Sequence, residues 1–372
     1  MRAIVVGGGI GGLATARGLG LRGWEVTVLE RQPSLEAAGA GLSLWPNALR
    51  ALDWLGVGGP VRAAGAPITG GGLRTAAGAW LTRVTVAGPI AVHRADLHEI
   101  LAEGLSVRTG AAVTDARSLD ADLIVGADGI GSAVRAAYAP QIRIRDSGQV
   151  SWRSVVPASA LGDDRDGGET MGPGGLRFGY VPMGPRGVYW YVAAPAPLRT
   201  TAPAEQLAEL RAAFGDWHEP IPRLLAATDP GALLHHPLLD LHPVAPMRFG
   251  ARVALVGDAA HAMTPNLGQG ACQALEDAVT LAALVPGGRG GGSVEEALRE
   301  YDGMRRPRVA MVARRSWQVG RVAGARGAVT SAMVRALARL TPASATARGA
   351  ERVAAWEPPT ATPALTRADG RR

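Results

Sequence analysis

Ala-Ile-Val-Val-Gly-Gly-Gly-Ile-Gly-Gly, residues 3–12, is the stretch that decides the fold of this chain. Its four apolar residues predict a buried β-strand, and the apolar positions that follow at helical spacing predict an α-helix. Gly7, Gly9 and Gly12 form a G-x-G-x-x-G turn between them. One glycine makes the tight turn, one lets the backbone approach a pyrophosphate, and one allows the helix to pack closely on the strand. The stretch therefore predicts the start of a dinucleotide-binding α/β fold.

A second strand, residues 25–29, ends at Glu30, which lies 18 residues after Gly12. An acid at this place can accept hydrogen bonds from ribose hydroxyls. The strand and Glu30 make the glycine turn a specific signal, even in a chain with 51 glycines. A secretory signal would need an unbroken apolar core. Because the glycines and Arg17 interrupt that core, we expect the mature chain to begin at Met1.

A second motif lies more than two hundred residues away. Residues 257–270, Gly-Asp-Ala-Ala-His-Ala-Met-Thr-Pro-Asn-Leu-Gly-Gln-Gly, follow a buried strand at 252–256 and lead into a helix. The carboxylate of Asp258 can accept hydrogen bonds from a polyol. The free N–H groups and positive dipole end of the following helix can stabilise a delocalised anion. This pattern predicts a site for both.

Residues 122–135, Asp-Leu-Ile-Val-Gly-Ala-Asp-Gly-Ile-Gly-Ser-Ala-Val-Arg, contain a third motif. A buried strand ends at Asp128-Gly129, and Ser132 and Arg135 lie on the next turn. This places an acid and a guanidinium near a phosphate-bearing ligand. One such element could be an ordinary strand–turn–helix, but three in this order indicate one composite ligand site.

Composition limits the class of protein. With 372 residues and 47% hydrophobic residues, the chain can form two domains with substantial cores. No window is apolar enough for a transmembrane helix. The single Cys272 rules out an internal disulfide, suits a reducing cytoplasm and leaves too little thiol for a zinc or iron–sulfur site. We expect a cytoplasmic protein with no metal.

The net charge of +7 does not predict nucleic-acid binding. Every basic residue is Arg, and Ala, Gly and Pro are abundant, which is typical of a GC-rich coding sequence. The arginines are scattered up to residue 304, and only residues 305–372 are clearly basic. We interpret the charge as codon bias and expect small-molecule partners rather than nucleic acid.

From residue 150 the sequence changes to alternating, strand-like segments separated by Gly- and Pro-rich turns. It returns to the first pattern near residue 246, which indicates a β-rich domain inserted into a dinucleotide-binding one. The predicted parts are a discontinuous first domain (1–67, 94–147 and 246–320), a second domain (68–93 and 148–245), a C-terminal helix (321–341) and a loosely held tail (342–372).

The helix predicted at residues 326–340 is basic and amphipathic. Peripheral contact with a membrane surface is one interpretation. A terminal helix packed on the first domain is the interpretation that we favour. The sequence leaves open whether the protein is a monomer or a homodimer.

The three motifs together resemble those of the class A flavoprotein monooxygenases, the para-hydroxybenzoate hydroxylase-like family, in its single-component aromatic hydroxylase and epoxidase branch. The resemblance covers roughly residues 1–320 and implies FAD as cofactor, with NADH or NADPH as a transient co-substrate. It also implies a Rossmann-like FAD-binding domain with an inserted β-rich substrate domain. The residues it assigns to the cofactor are Gly7, Gly9, Gly12, Glu30, Arg31, Gly41, Arg94, Asp128, Gly129, Gly257, Asp258, Pro265, Gly268, Gln269 and Gly270.

By this resemblance, NAD(P)H reduces the flavin, O2 adds to give a C4a-hydroperoxide, and one oxygen atom hydroxylates an aromatic ring or epoxidises an alkene. The GC-rich sequence suggests tailoring of a secondary metabolite. Relatives resembling urate hydroxylase have an acid where this chain has Asn266, which makes purine chemistry doubtful. Cys272 stands where many relatives have Asn, which we interpret as a change in packing beneath the flavin.

The substrate is expected under the inserted sheet, where the strand-like segments offer Arg177, Tyr180, Tyr189 and Tyr191, with Met183 nearby. Alternation leaves open which of them face inward. We interpret Trp152 as core and His261 as structural rather than as an acid–base group. The sequence identifies no general base.

Three alternatives remain. A flavoprotein reductase acting on a prenyl or polyketide substrate would share the motifs, and so would a non-catalytic flavin-binding regulator. A flavin-dependent halogenase is disfavoured because that class depends on an active-site Lys, which this chain lacks. Residues 152–157 also depart from the W-x-W-x-I-P signature of the halogenases.

Overall fold

The computed structural model describes residues 1–35, 39–85, 88–162, 164, 166–195, 202–287 and 292–360. The strands in these ranges are β1 (Arg2–Val6), β2 (Glu25–Leu29), β3 (Gly41–Leu44), β4 (Ala66–Pro67), β5 (Gly70–Thr75), β6 (Trp80–Thr85), β7 (Ile90–His93), β8 (Val107–Arg108), β9 (Leu123–Gly126), β10 (Arg143–Val156), β11 (Gly168–Met171), β12 (Arg177–Pro182), β13 (Val188–Pro195), β14 (Leu234–His242), β15 (Arg248–Phe249) and β16 (Val253–Leu255). The α-helices are α1 (Ile10–Leu21), α2 (Pro46–Trp54), α3 (Gly58–Ala64), α4 (Arg94–Ala102), α5 (Ala133–Tyr138), α6 (Pro203–Phe214), α7 (Ile221–Ala226), α8 (Asp258–His261), α9 (Gly270–Leu284), α10 (Val294–Ala323), α11 (Ala328–Leu340) and α12 (Ala343–Ala354).

The first sheet has six strands in the order β15-β16-β9-β1-β2-β8. All its pairings are parallel except that of β15 with β16. Because β1 lies between β2 and β9, the carboxyl ends of these strands and of β16 meet at one edge, on both sides of a topological switch point. The three sequence motifs and Glu30 follow these strands directly. The chain is therefore α/β with a Rossmann-like first part, as the sequence predicted.

The second sheet has seven strands in the order β14-β10-β13-β12-β11-β5-β6. Its pairings are antiparallel except that of β11 with β5. β10 begins at Arg143 and crosses the boundary that the sequence placed at residue 147. The strand continues through an irregularity between Asp146 and Val150, where Gly148 has a φ of 69°.

The two sides of this second sheet differ in character. Phe178, Tyr180 and Trp190 point to the side covered by α6 and α7, where they join a buried apolar cluster with Phe214. We call this the helix-facing side. The strand period of two places Arg177, Gly179, Tyr189 and Tyr191 on the opposite side, which we call the cleft-facing side. Arg153 of β10 and Glu169 of β11 also lie on the cleft-facing side, which approaches the first part of the chain.

Two apolar cores hold the molecule together. The larger one joins β1, β9 and β16 to α1 and α9, with side chains such as Val5, Leu13, Val125 and Leu275 fully buried. The smaller one lies between the second sheet and α6 and α7. Each fully buried aliphatic or aromatic side chain contributes roughly 1.5–3 kcal/mol of transfer free energy. The larger core therefore supports the edge of the first sheet where the three sequence motifs meet.

The prediction of a loosely held tail from residue 342 was wrong for its first part. Residues 343–354 form α12, and Trp356 is buried in the larger core. Arg50 donates to the carbonyl oxygens of Ala354 and Trp356, the latter at 2.7 Å through Nε. These partners are about 300 residues apart in sequence, so no local pattern could predict them. Residues 361–372, the rest of the predicted tail, lie outside the described residues.

The helices α11 and α12 pack along β6 of the second sheet. Thr82 donates through its hydroxyl to the carbonyl oxygen of Ala338 at 2.8 Å. In the part of the chain that the structure describes, no helix is both long and apolar enough to cross a membrane.

Candidate active site

The turn after β1 has the geometry that close approach of a ligand requires. Gly7 has a φ of 108°, and a side chain there would overlap the carbonyl oxygen of Ala127. A side chain at Gly12 would overlap the carbonyl oxygen of Gly7, whereas nothing lies within 4 Å of the Cβ position at Gly9. The first N–H groups of α1 therefore face open space and can bind a diphosphate.

Glu30 lies beside this turn at the end of β2. Its Oε2 accepts from the backbone N–H of Gly8 at 2.6 Å, and its Oε1 accepts from that of Gln32 at 2.8 Å. His98 lies below, with Nε2 at 2.6 Å from the carbonyl oxygen of Gly8. Because burial lowers the pKa of His98, its neutral ring donates to that oxygen. Glu30 is thus held where it can meet a ribose, while the Arg31 side chain is exposed nearby.

Asp128 shapes the third motif through its carboxylate. Its Oδ1 accepts from the Ser132 hydroxyl at 2.5 Å, and its Oδ2 accepts from the backbone N–H of Ala133 at 2.7 Å. Arg135 donates through Nη1 to the carbonyl oxygen of Ala259 at 2.9 Å. The turn after β9 is therefore tied to the segment after β16. A direct contact of Asp128 with the cofactor stays a prediction.

The segment after β16 presents Asp258 to the same edge. Gly257 has a φ of 58° and donates its backbone N–H to Asp277 Oδ2 at 2.9 Å. His261 is buried beneath, with Nε2 at 2.5 Å from the same oxygen. This agrees with a structural interpretation of His261. The Asp258 side chain is exposed, so its carboxylate can receive hydroxyl groups from a ligand.

Residues 265–270, which lead into α9, line the other side of the ligand site at this edge of the sheet. We call them the α9 wall. Pro265 and Gly268 are exposed, and Gly268 has a left-handed φ of 60°. Gln269 is buried at the N-cap, where its Oε1 accepts from Asn47 Nδ2 at 3.0 Å. Nothing lies within 4 Å of the Cβ position at Gly270. The positive end of this 15-residue helix therefore faces open space.

Cys272 lies in the first turn of α9 and is fully buried. Burial raises the pKa of its thiol to about 12. Its Sγ contacts the carbonyl oxygens of Gly268, at 3.7 Å, and of Ser43, at 3.8 Å. The thiol stays protonated and fills space beneath the wall, in line with the packing role that the sequence indicated.

Two guanidinium groups, those of Arg94 and Arg153, lie close to each other, and Arg94 is also close to Asp258. Arg94 begins α4, and burial lowers its pKa although the Asp258 carboxylate opposes that effect. Arg153, on the cleft-facing side of β10, lies at 3.3 Å through Nη2 from Nδ1 of His236. The Nε atoms of Arg94 and Arg153 are buried and have no hydrogen-bond partner among the described residues. Each retains a donor for a ligand.

Three of the four substrate-side candidates share the cleft-facing side. Tyr189 and Tyr191 stand next to each other on β13, with ring centroids 6.1 Å apart and planes tilted by 34°. Arg177 is on the same side of β12. Tyr180, three positions after Arg177, points to the opposite side and donates to Asp164 at 2.7 Å. The prediction for Tyr180 was wrong because an odd spacing along a strand changes the side.

Gly41 of β3 contacts this cleft-facing side. Its missing Cβ would lie 2.5 Å from Cβ and Cγ of Tyr189 and 2.9 Å from Sδ of the buried Met183. The absence of a side chain is therefore required for packing between the first part and the second sheet. The cofactor contact that the resemblance assigns to Gly41 stays a prediction.

Arg177 connects the second sheet to the wall before α9. Its Nη2 donates to Asn266 Oδ1 at 2.9 Å and to Gln149 Oε1 at 3.2 Å. Asn266 directly follows Pro265 and donates through Nδ2 to the carbonyl oxygen of Ser316 at 3.1 Å. With an amide in place of an acid, residue 266 anchors the sheet rather than contributing a negative charge.

Glu169 is a polar residue of this region that the sequence reasoning missed. It accepts from the Tyr191 hydroxyl at 2.7 Å. Its strand, β11, is only four residues long and lies among glycines and prolines, so no strand pattern is recognisable there in the sequence. The cross-strand partner of a short segment cannot be derived without the fold.

A buried ionic cluster beneath α9 was missed as well. Glu276 and Asp277 are fully buried, Arg305 donates through Nε to Asp277 Oδ1 at 2.7 Å, and Arg308 donates through Nε to Glu276 Oε2 at 2.6 Å. The adjacent acids inside an otherwise apolar helix were the available signal, since buried charges need partners. The cluster fixes α9 against α10.

These features fit FAD. Gly9, Gly129 and Gly270 leave open space where side chains would otherwise project. The unpartnered Nε of Arg94 and the exposed carboxylate of Asp258 offer a donor and an acceptor between the glycine turn and the α9 wall. A long ligand with a diphosphate, a polyol and a ring that gains negative charge matches this order of groups.

Comparison with known protein families agrees with this geometry. The model of the family described as FAD binding domain matches residues 84–316, and that of the FAD dependent oxidoreductases matches residues 2–57. Aurachin C monooxygenase/isomerase of Stigmatella aurantiaca is 36% identical over 358 residues, which span 87% of this chain and 89% of that protein. The 3-amino-4-hydroxybenzoate 2-monooxygenase of Streptomyces cremeus is 36% identical over 351 residues, spanning 85% and 86%.

Solved structures show the same likeness over the whole fold. Klebsiella pneumoniae HpxO complexed with FAD and uric acid superposes with a TM-score of 0.86 at 28% sequence identity. The match covers 95% of this chain and 96% of that one. The second sheet and the C-terminal part are thus included in the similarity.

Proposed function

Since the chain belongs to the FAD-binding domain family of para-hydroxybenzoate hydroxylase-like flavoprotein monooxygenases, we propose that it hydroxylates a planar aromatic or heteroaromatic ring that carries an ionisable hydroxyl group. The ring lies between the cleft-facing side of the second sheet and residues 265–270. The protein is an FAD-dependent monooxygenase that uses NAD(P)H. Its co-substrate O2, a cytoplasmic location and the division into an FAD-binding part and an inserted substrate domain belong to the proposal.

The residues of the first sheet's edge hold the cofactor in this proposal. Gly7, Gly9 and Gly12 admit the diphosphate, Glu30 binds the ribose, and Asp258 binds the ribityl chain. When bound, FAD takes electrons from NAD(P)H, activates O2 and supplies one oxygen atom to the substrate. The N-terminus of α9 stabilises negative charge on the flavin ring, because the helix dipole is already oriented before the reaction.

The observation that carries the substrate class is the cleft-facing side itself. Tyr189 and Tyr191 supply two aromatic faces, and Arg153 and Arg177 supply two guanidinium groups on the same side. Aromatic faces bind a planar ring, and an unpartnered guanidinium Nε favours an oxygen with negative charge. An apolar alkene would leave these donors without partners at a cost of several kcal/mol.

The relatives support a ring substrate. Their names specify an aminohydroxybenzoate and aurachin C, and the HpxO structure contains uric acid. The hydroxybenzoate type fits best here, because Asn266 is neutral and is already bonded to Arg177 and the Ser316 carbonyl. It offers no charge to a purine ring.

The test uses the purified enzyme reconstituted with FAD. Hydroxybenzoates, aminophenols and hydroxyquinolines are offered with NADH or NADPH under ¹⁸O2, and products are analysed by mass spectrometry. We expect one labelled oxygen on the ring and one NAD(P)H consumed for each product. A reduced product without label would identify a reductase, and a protein that takes up no FAD would refute the proposal. Size-exclusion chromatography with light scattering decides between monomer and homodimer.

A further inference from the structure

Glu169, Gly179 and Tyr191 lie directly opposite one another on three neighbouring strands. Glu169 of β11 pairs with Gly179 of β12, and Gly179 pairs with Tyr191 of β13. All three are on the cleft-facing side. Side chains on the two outer strands are normally separated by the side chain in the middle. Here the middle position has none.

The glycine makes room for the tyrosine ring. A Cβ at residue 179 would overlap Cζ and Cε1 of Tyr191, so the ring lies across the middle strand. It thereby brings its hydroxyl to Glu169 Oε2 at 2.7 Å. Glycine weakens the interior of a strand, because it has no side chain to pack and loses more entropy on folding. Gly179 therefore lowers the stability of its strand but allows the hydrogen bond between Tyr191 and Glu169.

Arg177 adds a positive charge beside the pair. Its Nη1 lies 3.4 Å from Glu169 Oε1, and its side chain is only 4% exposed. Its Nη2 bonds Asn266 next to Pro265, so the pair adjoins the wall that we assign to the flavin. The buried Nε of Arg177 has no hydrogen-bond partner in the described chain.

Tyr191 remains protonated and acts as a donor. Burial raises its pKa well above 10, and the charge of Glu169 raises it further. A buried phenol that donates to a carboxylate can accept a proton from a second hydroxyl on its oxygen while its own proton moves to that carboxylate. The pair thus has the connectivity of a two-step proton path.

We propose that Glu169, acting through the Tyr191 hydroxyl, removes the proton from the hydroxyl group of the aromatic substrate. This inference rests on the proposed function. The substrate O–H bond breaks, its proton passes to the Tyr191 oxygen, and the original Tyr191 proton passes to Glu169 Oε2. Glu169 becomes neutral and the substrate oxygen becomes negative. The ring gains electron density at the carbons ortho and para to that oxygen, which attack an electrophilic oxygen.

A purely structural role for the pair is the competing explanation, and the chain offers a matched control for it. Tyr180 donates to Asp164 Oδ2 at the same distance, 2.7 Å, from the helix-facing side. Asp164 is also bonded to an arginine, Arg74, at 2.9 Å. Tyr180→Phe therefore removes a similar buried hydrogen bond without touching the cleft.

The test measures the ionisation of a bound phenol, so it does not depend on turnover. The oxidised FAD enzyme is titrated at pH 6 with 4-nitrophenol, whose phenolate absorbs near 400 nm and whose binding is followed independently by quenching of flavin fluorescence. The native enzyme and Tyr180→Phe are expected to bind it mainly as phenolate. Glu169→Gln and Tyr191→Phe are expected to bind it with a phenolate fraction at least about tenfold smaller, which equals roughly 1.4 kcal/mol.

Equal phenolate fractions in the native enzyme, Glu169→Gln and Tyr191→Phe would overturn the proton path and leave the proposed function intact. If the native enzyme binds no 4-nitrophenol and hydroxylates none of the tested phenols, the proposed function and the proton path both fail. If Glu169→Gln does not bind FAD, Tyr191→Phe decides alone, because it keeps the ring over Gly179 and removes a single oxygen atom.

Discussion

The second sheet carries a tyrosine–carboxylate pair on each side, and the two hydrogen bonds have the same length. Tyr191 and Glu169 lie on the cleft-facing side, while Tyr180 and Asp164 lie on the helix-facing side. Each pair also has an arginine close by. Pair geometry alone therefore does not separate a functional pair from a structural one. What separates them is the material that each side packs against.

The helix-facing side is a packed apolar core. Phe178 stacks on Trp190 with centroids 5.4 Å apart, and Phe214 meets Phe178 edge to face. The cleft-facing side instead approaches the first part of the chain and carries charged groups there, such as Arg153, Arg177 and Glu169. The comparison predicts that substitutions on the helix-facing side lower the free energy of unfolding, whereas substitutions on the cleft-facing side lower the catalytic activity.

The largest effect is expected from Trp190→Ala on the helix-facing side. Trp190 is fully buried and donates through Nε1 to the Thr228 hydroxyl at 3.1 Å. Its truncation leaves a cavity and removes the N–H donor from the Thr228 oxygen, although that hydroxyl still donates to the Leu224 carbonyl oxygen. The free energy of unfolding should therefore fall by about 3–5 kcal/mol. Urea unfolding measures this. Tyr191→Phe serves as the comparison and should cost less than about 1 kcal/mol; a larger loss there would erase the distinction between the sides.

Gly179→Ala should have the next largest effect, on activity rather than on folding. The added methyl group would displace the Tyr191 ring from Glu169. We expect kcat/KM for a hydroxylated phenol to fall by at least about tenfold, or roughly 1.4 kcal/mol in the activation free energy.

Gly71→Ala in β5 of the same sheet is the matched control, because its added Cβ meets only ordinary contacts at 3.5 Å or more. Its activity should match that of the native enzyme. If both alanine variants lose activity equally, the loss reflects general disturbance of the sheet.

Tyr180→Phe should have a smaller effect. The variant loses one buried hydrogen bond, but Asp164 keeps Arg74 as a partner. The free energy of unfolding should decrease by about 1 kcal/mol, and kcat/KM should stay unchanged within the error of the assay. A thermal melt and a steady-state assay on the same sample measure both, and a loss of activity without a loss of stability would contradict the assignment of this side.

The smallest effect concerns pH. His218, on the helix-facing side, lies with Nε2 at 2.8 Å from the Thr170 hydroxyl, and burial lowers its pKa below the ordinary 6.5. The unfolded chain then binds a proton more readily than the folded one, so stability is lost as pH falls below about 6.5. The melting temperature at pH 5.5 should be lower than at pH 7.5.

His218→Gln should narrow this difference, whereas an unchanged difference would mean that other groups dominate the acid response. His236, on the cleft-facing side, has its pKa lowered by burial and by Arg153. It should contribute with the same sign. On this point the two sides are expected to behave alike.

The cofactor motifs could be predicted because they are local. The strand, the glycine turn and Glu30 follow each other within thirty residues, and the parallel order of strands then brings Asp128 and Asp258 to the same edge. The strand alternation also predicts that Tyr180 and Arg177 lie on opposite sides of β12. Phe178 and Tyr180 alternate with Arg177 and Gly179, but nothing in the alternation states which side faces the helices.

Other features depend on contacts between distant segments. Glu169 gains its meaning only when Gly179 and Tyr191 stand opposite it. The helix at residues 343–354 has little apolar character of its own, and its end is held by Arg50 and by Arg308, which donates to the Val353 carbonyl oxygen at 2.7 Å. Composition predicts a loosely held tail there because it contains no information on contacts with residues so distant in sequence.

Arg177 has partners in both halves of the molecule, Asn266 on the cofactor wall and Gln149 and Glu169 on the sheet. We expect a single guanidinium shared in this way to link the occupancies of the two sites thermodynamically. If bound FAD restricts the Asn266 side chain and thereby raises the affinity for the substrate by some factor, bound substrate must raise the affinity for FAD by the same factor. Apoenzyme and holoenzyme would then differ in their affinity for a phenol, and Arg177→Met should bring the two affinities together.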